Sequence, residues 1–251
     1  MTYKPNFSKA MIKANEILIE SNTIKDFPFS AVKIAEEFSD ICCHSFRYAQ
    51  AHNIPIYSFG SESAVIVELN GRFILFFDDT KNRCHCRYSI LHEFGHLYLG
   101  HPIRTTLQPL SLQDKEAYGN YEVEANYFAA QLVMPFQLLK ALDKKGYDIN
   151  VDFLRKNFGV SHDAAQRRVR CFQKNKSFFF SLAEREYDTK IVQKYKKFLG
   201  FSEPNISYID LFFICSHLIY IWKKAHNQNS CMPYIQCDNT LCSKIILSHC
   251  V

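Results

Sequence analysis

Leu91-His92-Glu93-Phe94-Gly95-His96-Leu97-Tyr98-Leu99-Gly100 is the stretch that organises the chain. On a helix, residues four apart lie on one face a single turn apart, so His92 and His96 aim two imidazoles at one point. Glu93 occupies the next position round. Two histidines and an adjacent carboxylate in H-E-x-x-H spacing are the ligand pair and general base of zinc peptidases. Ile90, Leu91, Phe94, Leu97 and Tyr98 supply apolar surface for such a helix, and Gly100 followed by Pro102 supplies its stop. The helix is predicted from about Arg87 to Leu99.

A catalytic zinc ion takes three protein ligands and keeps one position open. The metzincin solution would need glycine at 99 and histidine at 102. The chain has Leu99 and Pro102, which excludes that class. His101 falls past the helix end. A second helical run, Tyr121 to Met134 before Pro135, carries Glu122, Glu124 and Asn126. Glu122 and Asn126 share a face there, Glu122 as third ligand and Asn126 orienting a histidine through its free ring nitrogen. Glu124 is the competitor. It lies about 200° round the helix from Glu122, so the two cannot face one metal, and it is expected to be exposed.

Around these helices the chain reads as α+β, a zincin-like core of helices on a small, mostly antiparallel sheet. Helical spacing covers about Phe7 to Ser21, and Ser30 caps a run to about Phe38. Strand-like runs cover Ile54–Phe59, Ala64–Leu69 and Arg72–Phe77, with Asn70-Gly71 as a hairpin turn. The run Arg72, Phe73, Ile74, Leu75, Phe76, Phe77 is the expected substrate-binding strand, offering its edge to an extended peptide. Residues 102 to 120 read as a loop and Phe136 to Lys144 as a further helix.

The two ligand blocks resemble the ImmA/IrrE family of bacterial zinc metallopeptidases. The resemblance rests on His92-Glu93-Phe94-Gly95-His96 with Glu122-x-Glu124-Ala125-Asn126-x-Phe128-Ala129-Ala130-x-Leu132-x-Met134-Pro135, and on Arg87-Tyr88-Ser89-Ile90-Leu91 leading into the first histidine. It covers roughly residues 50 to 140 and maps the third ligand onto Glu122. It implies one Zn2+ per chain held by His92, His96 and Glu122, with Glu93 as general base. It further implies cleavage of a helix-turn-helix repressor encoded nearby, derepressing a mobile element, prophage or stress response. The alternative is a non-catalytic regulator with a peptidase-like fold that binds a repressor or DNA.

Charge is distributed unevenly. Met1 to Leu139 holds 12 basic and 15 acidic residues, whereas Lys140 to Phe198 holds 15 basic and 7 acidic. Within that basic middle, Val151 to Arg170 reads as helix, turn at Gly159, and a second helix capped by Ser161. Arg167, Arg168 and Arg170 are its candidate nucleic-acid contacts, although a solvated basic face is the commoner meaning of such a pattern. Three parts are therefore expected: a peptidase domain at 1–139, a basic helix-turn-helix-like domain at 140–200, and a cysteine-containing tail at 201–251.

No apolar run follows a basic start at the N-terminus, so no signal peptide is expected. The apolar run Leu211 to Trp222 is only twelve residues long, too short to span a bilayer. These features predict a cytoplasmic protein without membrane contact. The ten cysteines, including Cys84, Cys86, Cys231, Cys237, Cys242 and Cys250, then read as reduced thiols, since none forms C-x-x-C.

Overall fold

A computed structural model describes residues 4–55, 63–103, 112–175 and 182–200. They all belong to one compact unit, Met1–Ser202, and Glu203–Val251 form a second unit. The apolar run at 211–222 and the cysteines at 231, 237, 242 and 250 lie outside the described residues.

Helix α1 (Phe7–Glu20) starts where Asn6 accepts the Lys9 backbone N–H at 2.9 Å, and it buries Ala10, Ala14, Ile17 and Leu18. Ser30 caps α2 (Ala31–Phe38) in the same manner. Strand β1 (Cys42–Ser45) and the short helix α3 (Phe46–Ala51) follow. The hairpin of β2 (Ala64–Leu69) and β3 (Arg72–Phe77) turns at Asn70 and Gly71, whose φ values of 52° and 73° are those of the mirror-image turn that suits twisted strands.

The sheet order is β1-β3-β2, with β1 parallel and β2 antiparallel to β3. Two expectations are corrected here. The first strand is Cys42–Ser45, in what reads from sequence as a connection. Ile54 and Pro55 are irregular, and 56–59 lie outside the described residues. The sheet is thus mixed rather than mostly antiparallel. More consequentially, Arg72–Phe77 is the central strand. Both its edges are paired, Ile74 against Cys42 and Val67, so it has none to offer a substrate. The run is apolar because central strands are covered on both faces. Leu75 and Ile66 face the main core, while Phe76, Val65 and Val67 pack with Phe46 and Ala49 of α3.

Helix α4 (Arg83–Tyr98) carries the H-E-x-x-H residues and is capped by Asn82, four residues earlier than its apolar pattern suggests. Helix α5 (Leu112–Val133) is likewise longer than expected, since the reading of 102–120 as a loop fails from Leu112 onward. Pro135 separates α5 from α6 (Phe136–Lys144). Helices α7 (Val151–Phe158) and α8 (His162–Asn175) are joined through Gly159 at φ 59° and Ser161, and α9 (Leu182–Lys194) closes the described unit. One core runs from Ala10 to Leu199 across position 140, and it includes Leu154, Phe158 and Phe172 of the basic segment. No described helix is long and apolar enough to cross a membrane.

Two contacts tie the segments together. The Arg87 guanidinium of α4 donates to the Phe158 carbonyl at 2.9 Å and to that of Gly159, closing the C-terminus of α7. Arg168 is buried, at 3% exposure. Its Nε donates to the Met134 carbonyl at 2.9 Å and its guanidinium reaches Gln131 Oε1 at 2.6 Å, at the C-terminal end of α5. Arg168 is therefore unable to touch nucleic acid, and only Arg167 and Arg170 of the three arginines are exposed.

Two stability predictions follow from this packing. A Cβ on Gly95 would sit 2.9 Å from Phe128 Cδ1, so Gly95→Ala is expected to cost about 1–3 kcal/mol in chemical denaturation. Arg168→Ala strands buried acceptors and is expected to cost about 1–3 kcal/mol. Arg167→Ala and Arg170→Ala should change stability by no more than about 0.5 kcal/mol.

Candidate metal centre

Close packing of α4 on α5 builds the site. Gly95 lets Phe128 lie against the α4 backbone, and Phe94, Tyr98 and Phe128 form an aromatic cluster around that contact. On the same side of the two helices, three side chains converge. His92 Nε2 lies 3.1 Å from Glu122 Oε2, His96 Nε2 lies 3.1 Å from Glu122 Oε1, and the two Nε2 atoms are 3.2 Å apart. Among the described residues this is the one group of three whose donor atoms could hold a metal ion.

The donor set fits a divalent cation. Ligands of a tetrahedral zinc ion with bonds of about 2.0–2.1 Å stand roughly 3.3 Å from one another, close to the spacing seen here. Burial pulls the His92 pKa down, but the Glu122 hydrogen bond and the charges of Glu93 and Glu122 more than offset it, and the net shift is upward. Burial likewise acts to raise Glu122, yet hydrogen bonds from His92, His96 and Tyr118 hold it far below the usual carboxylate range. The centre is electrostatically set to stay anionic on one side and nitrogen-rich on the other.

Glu93 sits beside these donors without belonging to them. Burial raises its pKa, partly opposed by His92 and His96 and by the backbone N–H of Ile66. That N–H places β2 next to the acid, so an edge strand of the described sheet borders the site. Asn126 is exposed. Its Nδ2 donates to the Glu122 carbonyl at 2.7 Å, and its Oδ1 lies 3.3 Å from the Tyr88 hydroxyl. The buried Nδ1 of His92 makes no hydrogen bond, although the Asn126 side chain is near enough to favour the protonated ring.

Glu124 departs from expectation. It is fully buried, not exposed, and lies on the far side of the histidines from Glu122. Its Oε2 is 2.9 Å from His101 Nε2, and its Oε1 accepts the Asn6 backbone N–H at 2.7 Å. His101 Nδ1 in turn lies 3.2 Å from His96 Nδ1. His101 is brought there by the end of α4, where Gly100 takes φ 71°. The Gly100 N–H bonds the Leu97 carbonyl at 3.0 Å, and the His101 N–H bonds that of His96 at 2.9 Å. Burial holds the His101 pKa below its ordinary value despite the neighbouring Glu124.

Tyr118 is the residue that sequence reasoning missed. Its ring lies parallel to His96, centroids 6.2 Å apart, and its hydroxyl bonds Glu122. It precedes Glu122 by four residues, and a helix drawn to start at Tyr121 hides that shared face. Other aromatic side chains near the motif are engaged in packing. Tyr98 lies against Phe94 and Phe128, Tyr121 stacks on His101, and Tyr127 meets Phe7 edge to face. Cys86 Sγ donates to the Asp78 carbonyl and His85 Nε2 pairs with Ser63, and the described cysteines are free thiols.

No curated protein matches the chain. A family model does, over residues 49–170, a span that holds both ligand-bearing helices and most of α8. The matching model is that of peptidase M78, described as an IrrE N-terminal-like domain, and residues 49–170 are similar to it.

Proposed function

We propose that the protein is a zinc-dependent endopeptidase whose substrate is a regulatory protein, with a helix-turn-helix repressor encoded nearby as the first candidate. The observation that carries this reading is the convergence of His92, His96 and Glu122 on one point with Glu93 alongside. Three protein donors leave a tetrahedral ion one position for water or substrate. The chemistry a zinc ion supplies in such a site is polarisation of a carbonyl and acidification of water to a pKa of roughly 7.

The chain's own residues supply the rest. Glu93, its pKa raised by burial, takes the proton of the attacking water and delivers it to the departing amine. Tyr118 fixes the Glu122 carboxylate and presents a hydroxyl beside the ligands. Among the described strands β2 is an outer one and borders Glu93, so an extended peptide lying along β2 would pass the acid with its backbone presented for attack. Strand β2 thereby takes the role that sequence pattern assigns to Arg72–Phe77. The basic segment fits this reading as part of the same core, with Arg167 and Arg170 facing solvent where an acidic partner surface could dock.

The decisive experiment incubates the zinc-loaded protein with the neighbouring repressor, with and without a chelator. Cleavage that stops on chelation is expected. Glu93→Gln should retain zinc while slowing cleavage by about 10²–10⁴-fold, read by gel or mass spectrometry. Glu122→Ala should lose both zinc and cleavage. Intact repressor in a zinc-loaded sample that instead binds DNA would sink the peptidase reading and favour the non-catalytic regulator.

A further inference from the structure

A cavity of about 470 Å³ lies between α4, α5 and α8, a volume in the range of ligand sites. Its lining includes Tyr88 and Asn126, each one helical turn from a metal donor, His92 and Glu122 respectively. The Tyr88 hydroxyl joins the two helices there, donating to the Asn126 carbonyl at 3.1 Å. A helical turn rises about 5.4 Å and a residue of extended peptide about 3.3 Å, so a peptide cut at the donors brings its residues one or two places away to this cavity.

The wall is apolar along Val123, Tyr127, Ala130 and Val133, and it carries three arginines against one aspartate. Arg87 and Arg168 have their guanidiniums on backbone carbonyls, those of Phe158 and Gly159 and that of Met134. Asp163 lies 3.5 Å from His162 Nδ1. Arg167 differs from all of these. It is exposed, and among the described residues it makes no hydrogen bond or ion pair. Burial raises the Tyr88 pKa, and the Arg167 charge is close enough to oppose that rise.

We propose that this cavity is a substrate subsite that seats an apolar residue and, next to it, an acidic one whose carboxylate pairs with Arg167. The subsite rests on the peptidase reading above and adds the local sequence which that reading leaves open. The apolar side chain lies between α4 and α5, and the guanidinium presents a fork of donors that matches a carboxylate. A basic residue in the same place would meet three arginines, so selection comes from repulsion as well as from pairing. The packing of α8 against the ligand-bearing helices thereby acquires a use, because α8 supplies the part of the wall that reads charge.

Pools of fluorescein-labelled decapeptides test the subsite, random except for a central Glu-Leu-Glu, Lys-Leu-Lys or Glu-Gly-Glu. The zinc-loaded full chain is given each pool and the cuts are mapped by mass spectrometry. The full chain carrying Glu93→Gln is titrated with the same pools and read by fluorescence anisotropy. The wild type should cut the Glu-Leu-Glu pool about 3–10-fold faster than the Lys-Leu-Lys pool, at one fixed distance from the leucine. The Glu93→Gln chain should bind the pools in that order by a similar factor, and it should bind Glu-Gly-Glu about tenfold more weakly than Glu-Leu-Glu. Adding Arg167→Glu should reverse the acidic-over-basic order at unchanged zinc content. Lys174→Glu makes the same charge change at an exposed site of α8 outside the cavity wall, and it should leave the order within about twofold. Equal or absent binding of the Glu-Leu-Glu and Lys-Leu-Lys pools overturns the subsite and leaves the peptidase reading standing. So does an order that Arg167→Glu leaves unchanged, or leucine and glycine pools that bind alike. Failure to cut any pool or the repressor counts against the peptidase reading alone, and the binding order then decides the cavity.

Discussion

The contact on which this structure depends is the approach of α4 to α5 at Gly95 and Phe128. A helix carrying His92 and His96 has ligands but no third donor, and a helix carrying Glu122 has a carboxylate with nothing to bind. Only when the two backbones come close enough for Phe128 to lie on Gly95 do the three donor atoms fall within 3.1–3.2 Å of one another. The aromatic cluster of Phe94, Tyr98 and Phe128 keeps them there, because close-packed interiors resist small displacements. Chemistry at the site is thus a consequence of packing a few ångströms behind it.

Everything else in the unit either brackets that helix pair or polarises it. Helix α1 packs beside α5 and delivers the Asn6 N–H to Glu124, and Lys9 Nζ reaches the Leu99 carbonyl at the end of α4. The sheet lies along α4, with Ile66 of β2 meeting Glu93. Arg87 fastens the α7–α8 turn to α4, and Arg168 fastens α8 to the end of α5. The basic segment is therefore bolted to both ligand-bearing helices. Two of the arginines that read as a contact surface in sequence are of the kind expected for such a surface, and the third is a cap.

Much of this was legible in the residues themselves. The H-E-x-x-H spacing, the Ser30 cap, the Asn70-Gly71 hairpin, the Pro135 stop and the Gly159 turn are all local. Each depends on a side chain or a φ angle within a few residues, and each appears where the pattern puts it. The failures share a different cause. Arg72–Phe77 reads as apolar whether it is an edge or a centre, and strand order is a long-range fact. Strand β1 is four residues of Cys-Cys-His-Ser, with no alternation to mark it. Helix α5 extends through Gln113, Asp114, Lys115 and Glu116, whose polar lettering resembles a loop.

The sequence by itself picked out His92, His96 and Glu122 as candidate metal donors and the helices on which they stand, because helical periodicity links position to face without reference to the rest of the chain. Tertiary structure alone decided that Glu124 is buried, that His101 sits between it and His96, that Tyr118 bonds Glu122 and that β2 is the strand beside Glu93. Those facts need a partner brought in from outside the helix, whether the start of α1, the reversal at Gly100 or the neighbouring strand. A one-dimensional pattern states which way a side chain points but not what waits there to meet it.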